Sequence, residues 1–293
     1  MADPVDIMIG GYTTAHLLKR AEELVKEKMK TSAIIDEDAL ERMPKFDKNG
    51  TNNVEAQKIC YPRPHVLTRF LFVLAYTELT IGRVLGRGGF CVVSEIKAIR
   101  LADGEASRRV PADQDDEHQV ANAVQDRSFM QHNYLRGGKD TRYAIKILKS
   151  EKTSDPHYFI NGIVDLAIEA KFLSVIRHPN VVKMRALACG TPFSRDYFVV
   201  LDRLYDILTT RLISWRKRKV TGFGKVLDRK GKRQTAFWLE RITVAYDLSC
   251  ALKYLHGLHI LYRDLKPDNI GFDVRGDVKI FDFVSSRSVH MGI

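Results

Sequence analysis

From Leu79 onward, short runs in which β-branched and apolar residues alternate with polar ones predict strands. Leu79-Thr80-Ile81-Gly82-Arg83-Val84-Leu85 and Cys91 to Ile99 form two, joined by the turn Gly86-Arg87-Gly88-Gly89-Phe90. Tyr143 to Leu148 predicts a third, with Ala144, Lys146 and Leu148 on one side and Tyr143, Ile145 and Ile147 on the other. The spacing of Ile168, Phe172, Leu173, Val175 and Ile176 predicts a helix over Ile160 to Ile176, with Glu169 close to its apolar face. Strands at Val181 to Cys189 and Tyr197 to Leu201 follow, joined by a turn at Gly190-Thr191-Pro192. Helices are then expected over Ile207 to Lys219 and Ala236 to His256. The second is apolar around much of its girth and so is expected to be buried on several sides. A hairpin around Arg275-Gly276 pairs Ile270-Gly271-Phe272 with Asp277 to Phe281.

The chain before Leu79 carries no motif. It reads as a helix over Ala15 to Met29 behind caps at Thr13 and Thr14, a short helix over Asp36 to Arg42, and a polar linker over Lys45 to Pro64. The apolar run Phe70 to Tyr76 is too short to span a bilayer, which makes it a buried segment. Between about 101 and 140 lies an interval with an acidic run, Asp113 to Glu117, expected to be a disordered hairpin-tip insertion.

Composition describes a globular chain of 293 residues with net charge +11. The segment Arg211 to Arg233 contributes +9 of that charge. This basic stretch could meet an acidic partner, nucleic acid or an import receptor; the plainer reading is a solvated insertion at about 215–233, and nucleic acid is an unlikely partner. Cys60, Cys91, Cys189 and Cys250 show no C-x-x-C pairing, which argues against a zinc site and fits a reducing compartment.

Chemistry concentrates in Ile260-Leu261-Tyr262-Arg263-Asp264-Leu265-Lys266-Pro267-Asp268-Asn269. A carboxylate, an ammonium two residues on and a carboxamide three beyond suit phosphoryl transfer. Asp264 can take or orient the proton of an attacking hydroxyl, Lys266 can neutralise phosphoryl charge, and Asn269 can hold a metal by its amide oxygen. The glycine turn lets backbone N–H groups approach phosphate oxygens, although many such hairpins are simple turns. Taken singly, Lys146 reads better as a lysine snorkelling to solvent and Glu169 as a solvated helix residue.

Together these segments resemble the eukaryotic protein kinases. The ten-residue run resembles their H-R-D-L-K-P-x-N loop with Tyr262 in place of His, and the turn resembles L-G-x-G-x-F-G-x-V with Cys91 in place of the third glycine. Tyr143-Ala144-Ile145-Lys146 resembles V-A-I-K, Arg177-His178-Pro179-Asn180-Val181-Val182 the H-P-N-I-V exit of the helix, and Asp282-Phe283 the start of D-F-G. Lys266 further resembles the serine/threonine branch.

The resemblance implies an α+β, protein-kinase-like fold: a β-rich N-lobe with one main helix, and an incomplete, mainly helical C-lobe. It assigns the kinase domain to 78–283, leaving 1–77 as an extension of unassigned function and 284–293 as an atypical tail. It makes ATP and Mg2+ the cofactors and a protein bearing Ser or Thr the substrate. Asp264, Lys266, Lys146 and Glu169 are then the catalytic group, with Glu169 pairing Lys146. Gly86, Gly88, Gly89, Val93, Ala144, Lys146, Asp202 and Leu204 contact the nucleotide, the last two residues from 202 and 204 through their backbones. Asn269 and Asp282 hold the metal, so that 264 and 282 meet the 146 and 169 couple at one triphosphate. Gly271 stands where the family has a larger apolar residue, which implies looser packing there. The motifs stop at Phe283, and Val284-Ser285 is what a retained splice donor would encode. The expected function is a serine/threonine protein kinase in the cytoplasm or nucleus, with no membrane partner. The alternative is an inactive, truncated fragment that acts as a nucleotide-binding or interaction module.

Overall fold

The computed structural model describes residues 72–101, 127–149, 155–189, 196–218 and 232–288, with residue 125 and short pieces between 8 and 24. The chain divides into two units. One holds the residues up to Val175 together with Lys183–Arg203; the other holds Ile176–Val182 and the chain from Leu204.

The first unit is built on a six-stranded sheet. Its strands are β1 (Phe72–Leu74), β2 (Leu79–Arg87), β3 (Cys91–Ile99), β4 (Tyr143–Leu148), β5 (Met184–Ala188) and β6 (Phe198–Asp202), in the order β1-β5-β6-β4-β3-β2. All neighbours are antiparallel except β1, which lies parallel to β5. Within the apolar run expected to be buried, Phe72–Leu74 forms an edge strand with Leu74 fully buried, whereas Tyr76 is 49% exposed.

Helix α1 (Pro156–Val175) packs on β4 and β5. It starts four residues before the periodicity suggested, because Asp155 accepts from the His157 and Tyr158 amides (3.0 and 3.4 Å) and Pro156 supplies the first helical φ. That Asp-Pro pair is the helix-start signal the apolar spacing could not contain.

Of the interval 101–140, expected to be disordered, residues 127–140 are described and carry regular structure, while 102–124 lie outside the described residues. Residues 127–132 are helical, and Leu135–Arg136 pairs with Asp140–Thr141. Arg127, buried with a guanidinium donating to buried Glu78, anchors this piece. Glu78 also accepts from the Ala75 amide at 2.8 Å, so one carboxylate joins the turn between β1 and β2 to the inserted helix. Near the start of the chain, Met8–Ile9 pairs with Tyr12–Thr13, which places Thr13 in a strand. Leu17 and Ala21 of the predicted first helix are helical and buried. The helix expected over 36–42, the linker over 45–64, the turn at 190–192 and the acidic run at 113–117 lie outside the described residues.

The second unit comprises β7 (Asp206–Ile207), α2 (Leu208–Lys217), α3 (Lys232–Gly257), β8 (Ile260–Leu261), β9 (Ile270–Phe272), β10 (Val278–Ile280) and β11 (Arg287–Ser288). β7, β9 and β10 form one antiparallel sheet, β8 and β11 another. Leu208, Trp215, Val244, Ile270, Phe272 and Val278 make the core between helices and hairpin. Gly276 takes φ +86° at the hairpin turn, a conformation glycine adopts without steric penalty.

Two expectations are corrected here. Val181 and Val182 do not extend β5; they belong to this second unit, where Val181 bridges to Ile280 and the Val182 amide donates to the Ile280 carbonyl. And α3 is buried on one side only: Ala251 and Leu255 are fully buried, whereas Leu239, Ile242 and Tyr246 are 63, 60 and 67% exposed. Among the described residues, the packing on α3 covers one face of a helix whose composition is apolar on more than one.

Candidate functional site

In the first unit, the antiparallel register sets Val93 opposite Lys146, Glu95 opposite Ala144, and Gly86 opposite Val93. Of the expected nucleotide contacts, Gly86, Val93, Ala144 and Lys146 therefore sit on three adjacent strands. Lys146 reaches Glu169 of α1, and its ammonium donates to a carboxylate that is only 1% exposed. Burying Glu169 without a cation would be strongly unfavourable, so the pair fixes both the lysine and the rotation of the helix.

Asp202 ends β6. Its carboxylate accepts a bidentate hydrogen bond from Arg185 (2.6 and 2.8 Å). Arg203 carries no motif, yet its buried guanidinium pairs with Glu95 at 3.2 Å and donates to Thr141. Gly82 makes room for Glu95, since a Cβ there would lie 2.5 Å from the Glu95 Cγ. A glutamate inside the apolar strand pattern of β3 and an arginine directly after β6 were the available signal.

In the second unit, Leu204 fills the space above Gly271: a Cβ on Gly271 would come 2.6 Å from the Leu204 Cδ1. The looser packing expected at Gly271 is therefore absent. The small residue accepts a large neighbour.

The loop after β8 gathers three predicted groups. Asp264 accepts from the Lys266 ammonium at 2.8 Å and from the Asn269 amide nitrogen at 2.7 Å, and Asn269 donates also to the Asp264 carbonyl at 3.1 Å. The hydrogen bond from Lys266, helped against slight burial by that from Asn269, holds the Asp264 carboxyl below the usual carboxylate range. The same bond raises the Lys266 ammonium above its ordinary value, with the charges of Asp264, Asp282 and Asp268 adding to it. At neutral pH the loop thus presents a fixed anion beside a fixed cation, and the field of Asp282 reaches the same lysine.

Tyr262 organises this region in a way the sequence departure alone did not show. Buried, it donates its hydroxyl to the Phe281 carbonyl, and its ring meets Phe283 edge-on with centroids 5.2 Å apart. The Phe281 amide donates to the Asn269 carbonyl at 3.1 Å, so both backbone groups of the residue before Asp282 are held. Asp282 itself adopts φ +65°, a left-handed conformation unfavourable for a residue with a Cβ. The segment after Phe283 remains engaged: Ser285 accepts from Arg263 Nε at 2.9 Å, and β11 pairs with β8.

Donor chemistry fits a magnesium ion. The Asn269 amide nitrogen donates to Asp264, so the donors expected to face a metal are the Asn269 amide oxygen and the Asp282 carboxylate, both hard oxygens. No cluster of three or more His, Cys, Asp or Glu able to hold a metal occurs among the described residues. Magnesium usually takes one or two protein carboxylates and completes its shell with phosphate and water, which matches so small a donor set.

A protein kinase domain matches residues 132–292, and the chain belongs to the protein kinase family. It is 56% identical over 147 residues to ribosomal protein S6 kinase alpha-2 from Mus musculus, covering 50% of this chain and 16% of that protein. It is 31% identical over 162 residues to myosin light chain kinase A from Dictyostelium discoideum (53% and 46%). With the cAMP-dependent protein kinase type 3 of Saccharomyces cerevisiae it shares 28% over 164 residues (55% and 35%). The chain thus spans less than half the length of these relatives. Protein kinases generally use ATP and Mg2+. Among the described residues no helix is long and apolar enough to cross a membrane.

Proposed function

We propose that this chain carries serine/threonine protein kinase activity, transferring the γ-phosphoryl group of ATP to a Ser or Thr hydroxyl of a protein. The observation that carries this reading is the Asp264, Lys266 and Asn269 cluster, hydrogen-bonded within one loop with its carboxylate held ionised. A carboxylate of depressed pKa is a weak base. Asp264 therefore serves first to accept and orient the substrate hydroxyl, taking the proton late, as suits a loose phosphoryl-transfer transition state. Lys266 offers its ammonium to the transferring group.

Lys146, fixed by Glu169, contacts the α- and β-phosphates, while Gly86, Gly88 and Gly89 bring backbone amides to the phosphate chain. Val93 and Ala144 pack against the base, whose edge meets the backbones of Asp202 and Leu204. Asn269 and Asp282 would hold magnesium, which when bound supplies charge neutralisation on the phosphates. Lys266 and the kinases named above support the serine/threonine assignment, and use of ATP supports an intracellular site of action.

The test is radiolabel transfer from ATP to a generic basic protein, run beside a thermal shift with MgATP. Asp264→Asn is expected to lower transfer roughly 10²- to 10⁴-fold while keeping the nucleotide-induced shift. Transfer that survives this substitution unchanged would refute the assignment.

A further inference from the structure

The glycine turn is gripped from one side by groups outside it. The Lys149 ammonium donates to the Gly88 carbonyl and, at 3.1 Å, to that of Gly89; the Tyr158 hydroxyl donates to the Gly89 carbonyl at 2.6 Å. The Lys149 amide donates to the Phe90 carbonyl at 2.9 Å. In a planar trans peptide the C=O and the following N–H point in opposite directions. Carbonyls of Gly88 and Gly89 turned toward Lys149 and Tyr158 therefore turn the amides of Gly89 and Phe90 away from them. Among the described residues neither amide donates to a backbone carbonyl. Two successive amides held on one side are the start of an anion-binding nest.

Helix α1 is shaped for this grip. The Phe90 ring lies against Tyr158 with centroids 4.8 Å apart. One turn on, Gly162 leaves a notch in which a Cβ would sit 3.1 Å from the Phe90 Cβ and 2.2 Å from the Leu148 Cδ1. Tyr158, Gly162 and Glu169 recur at spacings that put them on a single helix face, about three turns long in all. That face holds the glycine turn at one end and Lys146 at the other.

We propose that Lys149 and Tyr158 are positioning residues for the phosphate-binding loop, fixing its carbonyls so that its amides face the phosphates of the nucleotide. This rests on the nucleotide role proposed above. The loop enters binding already ordered, so disrupting the grip weakens phosphate recognition and leaves base recognition intact.

The experiment titrates the full chain calorimetrically with MgATP and, separately, with adenosine, which lacks phosphates. Tyr158→Phe keeps the ring and changes no charge. It is expected to weaken MgATP binding roughly three- to ten-fold, with adenosine affinity staying within about two-fold. Lys149→Met is expected to add a loss of the same kind that persists at high salt. Variants that bind MgATP as tightly as the parent chain overturn the proposal, as does an equal loss for both ligands, which would mark a merely structural role. A loss confined to Lys149→Met and abolished by salt also overturns it, since long-range charge then suffices. A parent chain that binds neither ligand instead sinks the nucleotide reading itself.

Discussion

Replacing Tyr262 by Phe removes one hydroxyl and keeps a buried ring whose partner, Phe283, is itself fully buried. The Phe281 carbonyl then loses its donor in a site with little access to water, a change that costs about 1 to 3 kcal/mol. The residue that follows it, Asp282, sits at φ +65°, a conformation that for a residue with a Cβ costs roughly 1 to 2 kcal/mol. The hydroxyl bond is thus of the size needed to offset the strain beside it. Tyr262→Phe is expected to destabilise the second unit by about 1 to 3 kcal/mol and to weaken the magnesium-dependent part of ATP affinity. Tyr262→Ala, which also empties a ring-sized space, should lose about 3 to 5 kcal/mol. Both tryptophans, Trp215 and Trp238, lie in helices of this unit, so their fluorescence during urea unfolding reports on it directly. A Tyr262→Phe variant that unfolds within about 0.5 kcal/mol of the parent and binds MgATP unchanged would refute the coupling between this hydroxyl and Asp282.

The buried Arg127 and Glu78 pair makes a sharp case in the first unit: Arg127→Met strands a buried carboxylate and should cost about 3 to 5 kcal/mol, while Glu78→Gln combined with Arg127→Met should recover most of it in a denaturation cycle. In the second unit, His178 accepts from the Asn180 amide at 3.1 Å and packs against Tyr254, and burial lowers its pKa despite the nearby charge of Asp247. The unfolded chain therefore binds the proton more readily than the folded one. Stability should fall as pH drops below about 6.5, and His178→Gln should flatten that slope in tryptophan-monitored unfolding between neutral and mildly acidic pH.

Much of the site could be read directly. Strand limits at Cys91–Ile99 and Tyr143–Leu148 follow from alternation of β-branched residues, and the Asp264 to Asn269 cluster follows from spacing so short that local backbone geometry closes it. The pairing of Lys146 with Glu169 was an implication of resemblance, and the fold delivers it across 23 residues. Other features were not legible. Arg127 and Arg203 read as ordinary polar positions, and Tyr262 only as a departure from the family's His. Their meaning depends on partners 49, 108 and 19 residues away, which no window of periodicity spans. The one-sided burial of α3 has the same cause, because composition reports what a helix could bury and not what lies against it.

The sequence by itself determined where most strands and helices run and which side chains are candidates for phosphoryl-transfer chemistry, since both depend on residue type and near-neighbour spacing. Tertiary structure alone decided that β1 joins the sheet edge, that Leu204 occupies the room left by Gly271, and that Tyr262 steadies the backbone ahead of Asp282. Those arrangements are settled by packing and by the penalty for leaving buried polar groups unpaired, which acts between segments far apart along the chain.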